Sequence, residues 1–424
     1  MPRPFLRTTA LSALLCSGLS TAGLAQSYET GGIQLSFGLG LGAEVQSNRT
    51  LSVGDPGTSA EIGADLTFGL LTETRSQRFL FEAGGRIRTL DAPAGTSAEG
   101  NGFVRPSLRL EYSREAAAGR LQFRARLSET DVSEVETLEV DSIDLVIASG
   151  TATRRSAFVE GRIDWRRDRP FGFGILARIS DVEYRDGIAT GIGGTNLLDN
   201  RRLTLGINTR FDLSPVARLT NDLSFDSFEE DGTPGQRETI SLRNTLTLDR
   251  PLGALTLGLN LDHTEQGERV SARVGRSYEM PWGTLNGALG LTRGVAGDTF
   301  LTGSVDASYP LPRGALNLGL SRGVSSGNEE DTERVNTQVS FGYVQELDGL
   351  SNISLDVTWA EVEDTGTNTS SSSGAIGATY TRALTRDWNM NLGYRHRYSD
   401  DDATGSARSN EVFFNLRRTF VTRF

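Results

Sequence analysis

The feature that most constrains this chain is an alternation of apolar residues with polar or very small ones. In the stretch GIQLSFGLGLGAEVQ, residues 32–46, every second side chain from Ile33 to Val45 is apolar. A period of two places all of these side chains on one face of a β-strand. A dinucleotide-binding loop would need G-x-G-x-x-G between a strand and a helix, whereas these glycines follow G-x-G-x-G and no helical pattern comes after them. The stretch therefore predicts a strand with one apolar face.

The same alternation returns along the whole chain in about 20 segments, each near the 9–11 residues that a tilted strand needs to cross a bilayer. Clear examples are residues 60–70, 255–261 and 353–359. No linker or change of composition divides the chain, and no later run of 18 apolar residues occurs. A helical membrane protein is therefore excluded.

Two classes of connection alternate between the segments. Short, turn-like connections include Asp168–Pro170 and Pro281–Gly283. The longer, acidic class comprises Glu229–Gly232, Gly327–Asp331, Glu361–Asp364 and Ser399–Asp402. Short turns at one end and long loops at the other are typical of outer-membrane barrels, whereas a propeller has no reason for two loop classes. The expected fold is all-β: a single closed antiparallel transmembrane β-barrel of about 20 strands, between roughly 18 and 22, with both termini periplasmic.

The first residues predict export. Arg3 and Arg7 precede an apolar and small-residue stretch, and Gly23-Leu24-Ala25 provides a small-x-small cleavage site. We therefore expect residues 1–25 to be a cleaved secretory signal peptide and residues 26–424 to form the barrel. The one cysteine, Cys16, would leave with the signal, so disulfides and zinc–thiolate sites are not expected in the mature chain.

The charge of the chain is acidic, and all 43 basic residues are arginine. Removal of Arg3 and Arg7 with the signal leaves 41 arginines against 54 acidic residues, a net charge of −13. This balance argues against nucleic acid as a partner.

The end of the chain carries the most specific local signal. In EVFFNLRRTFVTRF, residues 411–424, the alternation passes through Phe414 and Leu416, breaks at Arg418, resumes at Phe420 and stops at Phe424. A final strand that ends on a terminal Phe resembles the recognition signal of bacterial outer-membrane barrels. The resemblance implies that Phe414, Leu416, Phe420 and Phe424 form a barrel-insertion signal for the barrel-assembly machinery.

A longer stretch, WNMNLGYRHRYSDDDATGSARSNEVFFNLRRTF, residues 388–420, resembles the last hairpin of the outer-membrane β-barrel porin families of alphaproteobacteria and related Gram-negative bacteria. In those families a strand of the LxLGYRYR kind leads through an acidic loop to SNxVFLxLxxxF. The resemblance is close over this hairpin, whereas over the rest of the chain it extends only to the general pattern of alternating residues. It implies an outer-membrane location and a wide barrel, and it carries over no binding residue.

Arginines collect on the polar face of five adjacent predicted strands, where acidic residues lie among them. If the apolar face meets lipid, these arginines form a basic arc on one wall of the lumen. The arc comprises Arg86, Arg88, Arg105, Arg109, Arg124, Arg126, Arg162, Arg166 and Arg178. We predict these residues to line a pore, with small anionic solutes as the partners that they favour.

The longest loop, TDVSEVETLEVDSIDLVIASGTATR, residues 130–154, separates the fifth and sixth predicted strands and is acidic and partly apolar. General porins fold a long third loop into the lumen, with acids facing an arginine ladder, and this loop is also the third long one. The alternative is that the arginines pair with lumen acids only to rigidify the wall, while the loop extends its two strands outward. The sequence leaves both arrangements open.

Catalytic signals are weak. The nearest approach to a catalytic pair is Asp262-His263, and neighbours in a strand point to opposite faces. His396 lies two residues from Tyr394 and two from Tyr398, so all three are expected on one face of the strand, which suggests an outward aromatic belt. Without a cluster of metal ligands we predict no enzyme, no cofactor and no metal centre. Acidic loops could hold Ca²⁺, although such runs usually form a solvated surface.

The sequence therefore predicts a porin-like channel for small polar or anionic solutes in the outer membrane of a Gram-negative bacterium. Its lasting partners would be outer-membrane lipid and lipopolysaccharide. Two alternatives stay open: a structural or surface barrel whose lumen is plugged, and a barrel that exports an acidic exopolysaccharide.

Overall fold

The structure, a computed structural model, describes residues 32–424 except for 94–99, 135–137, 140–144, 192–193, 195, 233–234 and 327–332. Nearly all of the described chain belongs to one sheet of 20 antiparallel strands, and the sheet closes because the last strand pairs with the first. The expected closed barrel of about 20 strands is confirmed. The predicted signal peptide, residues 1–25, and the acidic stretch Gly327–Asp331 lie outside the described residues.

The first half of the barrel contains ten strands and the longest connections. The strands are β1 (Gly32–Ser47), β2 (Thr58–Glu73), β3 (Gln77–Asp91), β4 (Gly102–Glu115), β5 (Gly119–Asp131), β6 (Thr153–Trp165), β7 (Phe171–Arg185), β8 (Asn200–Ser214), β9 (Ala217–Glu230) and β10 (Gln236–Arg250). The connection from β5 to β6 contains a 3₁₀ turn (Val132–Glu134) and three two-residue strands, Leu138–Glu139, Leu145–Val146 and Ser149–Gly150. The last of these pairs with Ala189–Thr190, after β7.

The second half continues the antiparallel order without interruption. The strands are β11 (Gly253–Thr264), β12 (Gly267–Met280), β13 (Gly283–Arg293), β14 (Thr299–Leu311), β15 (Gly314–Ser326), β16 (Glu333–Asp348), β17 (Ser351–Asp364), β18 (Thr369–Ala383), β19 (Trp388–Asp401) and β20 (Gly405–Arg423). Among the described residues, no helix is long and apolar enough to span a bilayer.

The barrel closes along the seam between β1 and β20. Their residue pairs run from Gln34–Arg423 to Gln46–Glu411. The terminal residue extends this pairing, because the Ile33 N–H donates to the Phe424 carbonyl at 3.2 Å and the Phe424 N–H donates to the Ile33 carbonyl at 2.9 Å. Closure leaves no strand edge open to another chain.

The two faces of the wall separate as the alternation predicts. Outward apolar side chains are strongly exposed, as for Ile62 (70%), Leu289 (64%) and Leu301 (63%). Positions that alternate with them point into the lumen and are mostly Ser, Thr, Asn, Gly, Arg or acidic residues. An apolar outer band and a polar interior are what a bilayer requires of a barrel.

The two ends of the barrel differ. At the end that we call the turn end, which contains Gly32 and Arg423, the connections are short, as in 215–216 and 281–282. At the opposite end, the loop end, the long connections 48–57, 92–101, 132–152 and 186–199 all belong to β1–β8. The prediction of acidic loops along the whole chain was wrong in part. Glu229 and Glu230 belong to β9, Glu361–Asp364 to β17 and Ser399–Asp401 to β19. The pattern missed them because strand ends that rise above the apolar band need no apolar alternation.

Candidate functional site

The candidate site is the lumen, where eight of the nine predicted arginines occupy strand positions. Arg86 and Arg88 lie on β3, Arg105 and Arg109 on β4, Arg124 and Arg126 on β5, Arg162 on β6 and Arg178 on β7. Each of these positions alternates with outward apolar residues, apart from Arg105, which has a φ of 53° at a register shift between β3 and β4. Five adjacent strands, β3 to β7, thus carry these eight arginines.

The ninth arginine lies elsewhere. Arg166 follows the last residue of β6, with a φ of 54°. Its guanidinium carbon lies 5.7 Å from the centre of the Phe171 ring, which belongs to the outward face of β7. Arg166 therefore belongs to the turn end rather than to the lumen wall. The chain leaves the strand geometry at this residue, so alternate residues no longer point to the same face.

One buried carboxylate organises the loop-end part of the arc. Glu61, on β2, is fully buried and has four guanidinium groups within 4 Å. Arg86 Nε lies 2.7 Å from Glu61 Oε1, and the Nη atoms of Arg49, Arg88 and Arg105 lie 3.0, 3.3 and 3.7 Å from Oε2. Burial of charge is costly unless the charges are paired. The four guanidinium groups around Glu61 therefore require further carboxylates to balance their charge.

Three more carboxylates surround this cluster and balance its charge. Arg49 Nη1 lies 3.1 Å from Glu44 Oε1, Arg86 Nη1 lies 3.2 Å from Asp65 Oδ2, and Arg88 Nη1 lies 2.8 Å from Asp131 Oδ2. With Glu61, four acids face four arginines. We call these eight residues the Glu61 cluster. In this part of the lumen the arginines pair with acids, and these ion pairs link neighbouring strands and loops of the barrel wall.

The Glu61 cluster also fastens two loops. Asp131 is the last residue of β5, next to the connection between β5 and β6, and Arg49 lies in the connection between β1 and β2. From the other side, Arg397 on β19 is buried and donates to the Ser133 carbonyl at 2.5 Å and to the Arg49 carbonyl at 2.8 Å. Charged side chains from the wall therefore hold both loops at the loop end.

We call the connection 132–152 the third loop, and its described residues pack inside the barrel. Val132 and Ala152 are fully buried and pack with Ala189 and Leu197 from the next loop. Ile147, only 5% exposed, packs against Ala360 and Val362 on the inward face of β17.

β17 is eight strand steps from β5 by the shorter path around the 20-stranded wall, so the third loop crosses the lumen. Of the two arrangements that the sequence leaves open, the described part of the loop adopts the inward one. Residues 135–137 and 140–144 lie outside the described residues.

The remaining arc arginines face lumen water more openly. Three of them, each more than a third exposed, pair with carboxylates: Arg109 with Glu82 at 3.5 Å and Glu111 at 2.6 Å, Arg124 with Glu160, and Arg162 with Asp164 at 3.1 Å. The Arg109–Glu82 pair is exposed on both sides and contributes little to stability, whereas Glu160 is buried. The charges of these pairs can still act on ions in the lumen, because a lumen screens them incompletely.

Two arc arginines have no carboxylate partner in the described part of the chain. Arg126 is exposed and forms neither an ion pair nor a side-chain hydrogen bond there. Arg178 places its guanidinium carbon 4.6 Å from the centre of the Phe158 ring, a cation–π contact. Within the described residues, neither guanidinium group forms an ion pair, although Glu160 is in register with Arg178.

A cavity of about 600 Å³ occupies the lumen beside the β6–β16 wall. Its lining is mainly Ser, Thr, Asn, Gln, Arg and acidic side chains, with seven arginines and five acids. The excess of positive charge contrasts with the acidic whole chain. A polar, concave space of this size fits small hydrated solutes better than apolar ones.

Sequence reasoning missed the central members of this site. Glu61 lies between the outward residues Ala60 and Ile62, so the alternation along the strand places it in the lumen. The alternation does not show that four arginines converge on it. Arg49 lies outside the alternating pattern, and Arg397 is far from the arc in sequence. The β1–β2 hairpin brings Arg49 to Glu61, and barrel closure brings Arg397 to the Arg49 carbonyl.

The two histidines face outward. His263 is exposed, with Nδ1 3.9 Å from Glu268 Oε1, at the loop end of β11. His396 Nδ1 and the Tyr394 hydroxyl both contact Asn410 Oδ1, at 2.9 and 2.7 Å. Within the described ranges, no group of three or more His, Cys, Asp or Glu residues is arranged to hold a metal ion.

Comparison with known structures supports the fold. The barrel is similar to two crystal structures of mutants of the ferric enterobactin receptor PfeA from Pseudomonas aeruginosa, one of them in complex with enterobactin. The sequence identities are 11% and 12%, and both TM-scores are 0.52. Each match covers 92% of this chain, and 81% and 82% of the receptor chains. Identities this low establish the likeness of fold alone.

No protein-family model matches the chain, and no curated protein matches it either.

Proposed function

We propose that this protein is an outer-membrane barrel that forms a porin-like channel for small polar or anionic solutes. The observation that carries the proposal is the polar cavity in the lumen. The third loop packs against β17, whereas the residues that line the cavity lie along β6–β16 and include none from this loop. Wide barrels enclose aqueous channels, and 20 strands exceed the 16–18 of general porins.

The outer surface supports a membrane location. On β7 the outward side chains are apolar from Phe171 to Ile179, which corresponds to about 20 Å of height for a tilted strand, near the 25 Å band of outer-membrane barrels. Above it, Asp181 and Glu183 begin a charged row that includes Arg155 and Arg201. We propose that this row meets lipopolysaccharide headgroups, with the termini and the turn end in the periplasm.

The lumen charge supports an anion preference. Arginines outnumber acids on the cavity lining, and Arg126 adds a charge without a carboxylate partner in the described residues. A narrow, low-dielectric passage focuses such a field, and salt screens it over about 10 Å at 0.1 M. The expected selectivity is a mild preference for anions at low salt that fades toward about 1 M.

Planar-bilayer recording of the purified, folded barrel tests the proposal. We expect discrete current steps and a reversal potential, under a KCl gradient, on the anion side. Replacement of Arg105, Arg109, Arg124 and Arg126 by Gln should move the reversal potential toward cations. An unchanged reversal potential would keep the pore but reject the arc as its filter.

A second candidate function, a plugged structural barrel, is favoured by one observation. The third loop is anchored at two parts of the wall, by the Ser133 carbonyl, which accepts from Arg397 on β19, and by Ile147, which packs against β17. A folded barrel that inserts into the bilayer and passes no current would reject the channel and support this second function.

A further inference from the structure

The β10–β12 wall of the cavity presents two arginines that the arc does not include. Arg243 on β10 and Arg273 on β12 both line the cavity, and β11 runs between them. Across three strands their backbones are roughly 10 Å apart laterally, because neighbouring strands lie about 4.8 Å apart. Arginine side chains are long enough to converge over the strand between them.

Neither arginine forms an ion pair or a side-chain hydrogen bond with a described residue. Other arginines on this wall do have partners: Arg269 Nε lies 3.0 Å from Asp262 Oδ2, and Arg237 Nη2 lies 3.2 Å from Glu230 Oε2. The two guanidinium charges act on each other, and like charges held together without a counter-ion are destabilising. Their arrangement therefore favours an anion between them.

The strand between them leaves room for such an anion. Gly258 is directly opposite Arg273, and Gly290 is opposite it on the other side, so no neighbouring side chain in register covers this arginine. A Cβ at Gly258 would lie 3.8 Å from Arg273 Nε. Asn260, opposite Arg243, adds an amide N–H donor on the same inward face.

One acid competes with a bound anion. Asp222 on β9 is the carboxylate in register with Arg243. Arg273 has glycine at the register positions of both neighbouring strands, so no carboxylate is in register with it.

We propose that Arg243, Arg273 and Asn260 form a binding site in the lumen for a small dianionic oxyanion, either a phosphate or a dicarboxylate. Guanidinium groups match the geometry of both through paired N–H donors. The inference rests on the proposed function, since the solute must enter the lumen to reach the site. The site would add a defined binding position for one class of anion to the general anion preference of the channel.

Gly258 offers a matched pair of variants. Gly258→Asp would place a carboxylate beside Arg273, where it would act as an internal counter-ion, whereas Gly258→Asn adds nearly the same volume without charge. The φ of Gly258 is not in the left-handed region, and the nearest atoms leave van der Waals room, so both variants should fold.

Calorimetric titration of the detergent-solubilised, folded barrel with inorganic phosphate, and separately with succinate, at low salt tests the site. We expect binding of at least one of them, weakened at least about tenfold in Gly258→Asp and in Arg243→Gln/Arg273→Gln, and changed less than about threefold in Gly258→Asn. The tighter of the two anions identifies the ligand class.

Two results would overturn the inference: no binding of either anion by the wild-type barrel, or equal binding by Gly258→Asp and wild type. A barrel that conducts but binds neither anion would reject this site alone. A barrel that binds phosphate or succinate but passes no current would reject the proposed function and leave the site.

Discussion

Buried charge is the dominant feature at the scale of single residues. Glu61 is fully buried, so water cannot take the place of the surrounding arginines as hydrogen-bonding partners of its carboxylate. A buried pair stabilises little relative to an apolar one, but removal of one partner leaves the others uncompensated. Here one carboxylate serves four guanidinium groups, which makes Glu61 the most sensitive position of the cluster.

Glu61→Gln should lower the free energy of unfolding by about 3–5 kcal/mol, because it leaves buried guanidinium groups without their shared carboxylate. Urea titration of the barrel in lipid vesicles, followed by fluorescence of its four tryptophans, measures this loss. Glu82→Gln is the control, since Glu82 and Arg109 form an exposed pair, and it should change stability by less than about 1 kcal/mol. Equal effects of the two variants would contradict a structural role for the cluster.

The terminal residue provides a second test at this scale. Phe424 is 76% exposed and contributes mainly two backbone hydrogen bonds with Ile33, so its deletion should change the stability of the folded barrel only slightly. If Phe424 forms part of an insertion signal, its deletion should nevertheless greatly reduce the amount of heat-modifiable, folded barrel in the outer membrane. A normal yield would show that the terminal Phe is not read during assembly.

At the scale of elements, the third loop follows the same hydrophobic principle as the strands. Its apolar residues Val132, Ile147, Ala148 and Ala152 would be exposed to water if the loop extended outward. Inside the barrel they pack against the neighbouring loop and against β17. Burial of apolar surface, together with the anchors from Arg88 and Arg397, explains the inward path.

Cysteine pairs can test this path on a background without thiols, because the single cysteine, Cys16, lies in the predicted signal peptide. Ile147→Cys with Val362→Cys should form a disulfide readily, since the two side chains belong to one buried cluster. Ile147→Cys with Leu355→Cys should not, because Leu355 faces outward on the same strand. Mobility on non-reducing gels separates the two outcomes, and cross-linking of neither pair would place the loop away from β17.

At the scale of the whole molecule, the two ends of the barrel give an orientation in the membrane. Cysteines at Asp231 and Ala403, at the loop end, should react with a bulky, membrane-impermeant maleimide on intact cells. Cysteines at Asp168 and Trp282, at the turn end, should react only after lysis. Labelling of the turn end on intact cells would invert the proposed orientation.

The wall of the barrel was predictable from sequence alone. The inward or outward direction of most strand side chains follows from a period of two, which is a local property of the chain. The number of segments with that period, together with the two classes of connection, predicts one closed barrel of about 20 strands. The location of connections was less predictable at the loop end, where Glu361 and Ser399 continue their strands. Above the apolar band both faces are polar, so the pattern no longer distinguishes strand from loop.

The sequence by itself determined the inward face of the arc arginines that keep the strand alternation, all but Arg105 and Arg166, and only the tertiary structure decided what each arginine meets. Glu61 and Arg88 come together through the register of β2 and β3, and Asp131 joins them from the end of β5. Arg397 reaches the same end of the lumen only because the barrel closes between β1 and β20. The path of the third loop was decided in the same way, because the partners of Ile147 lie on the far wall. Alternation is set by neighbours in the chain, whereas ion pairing and burial inside a lumen depend on strands that only closure brings face to face.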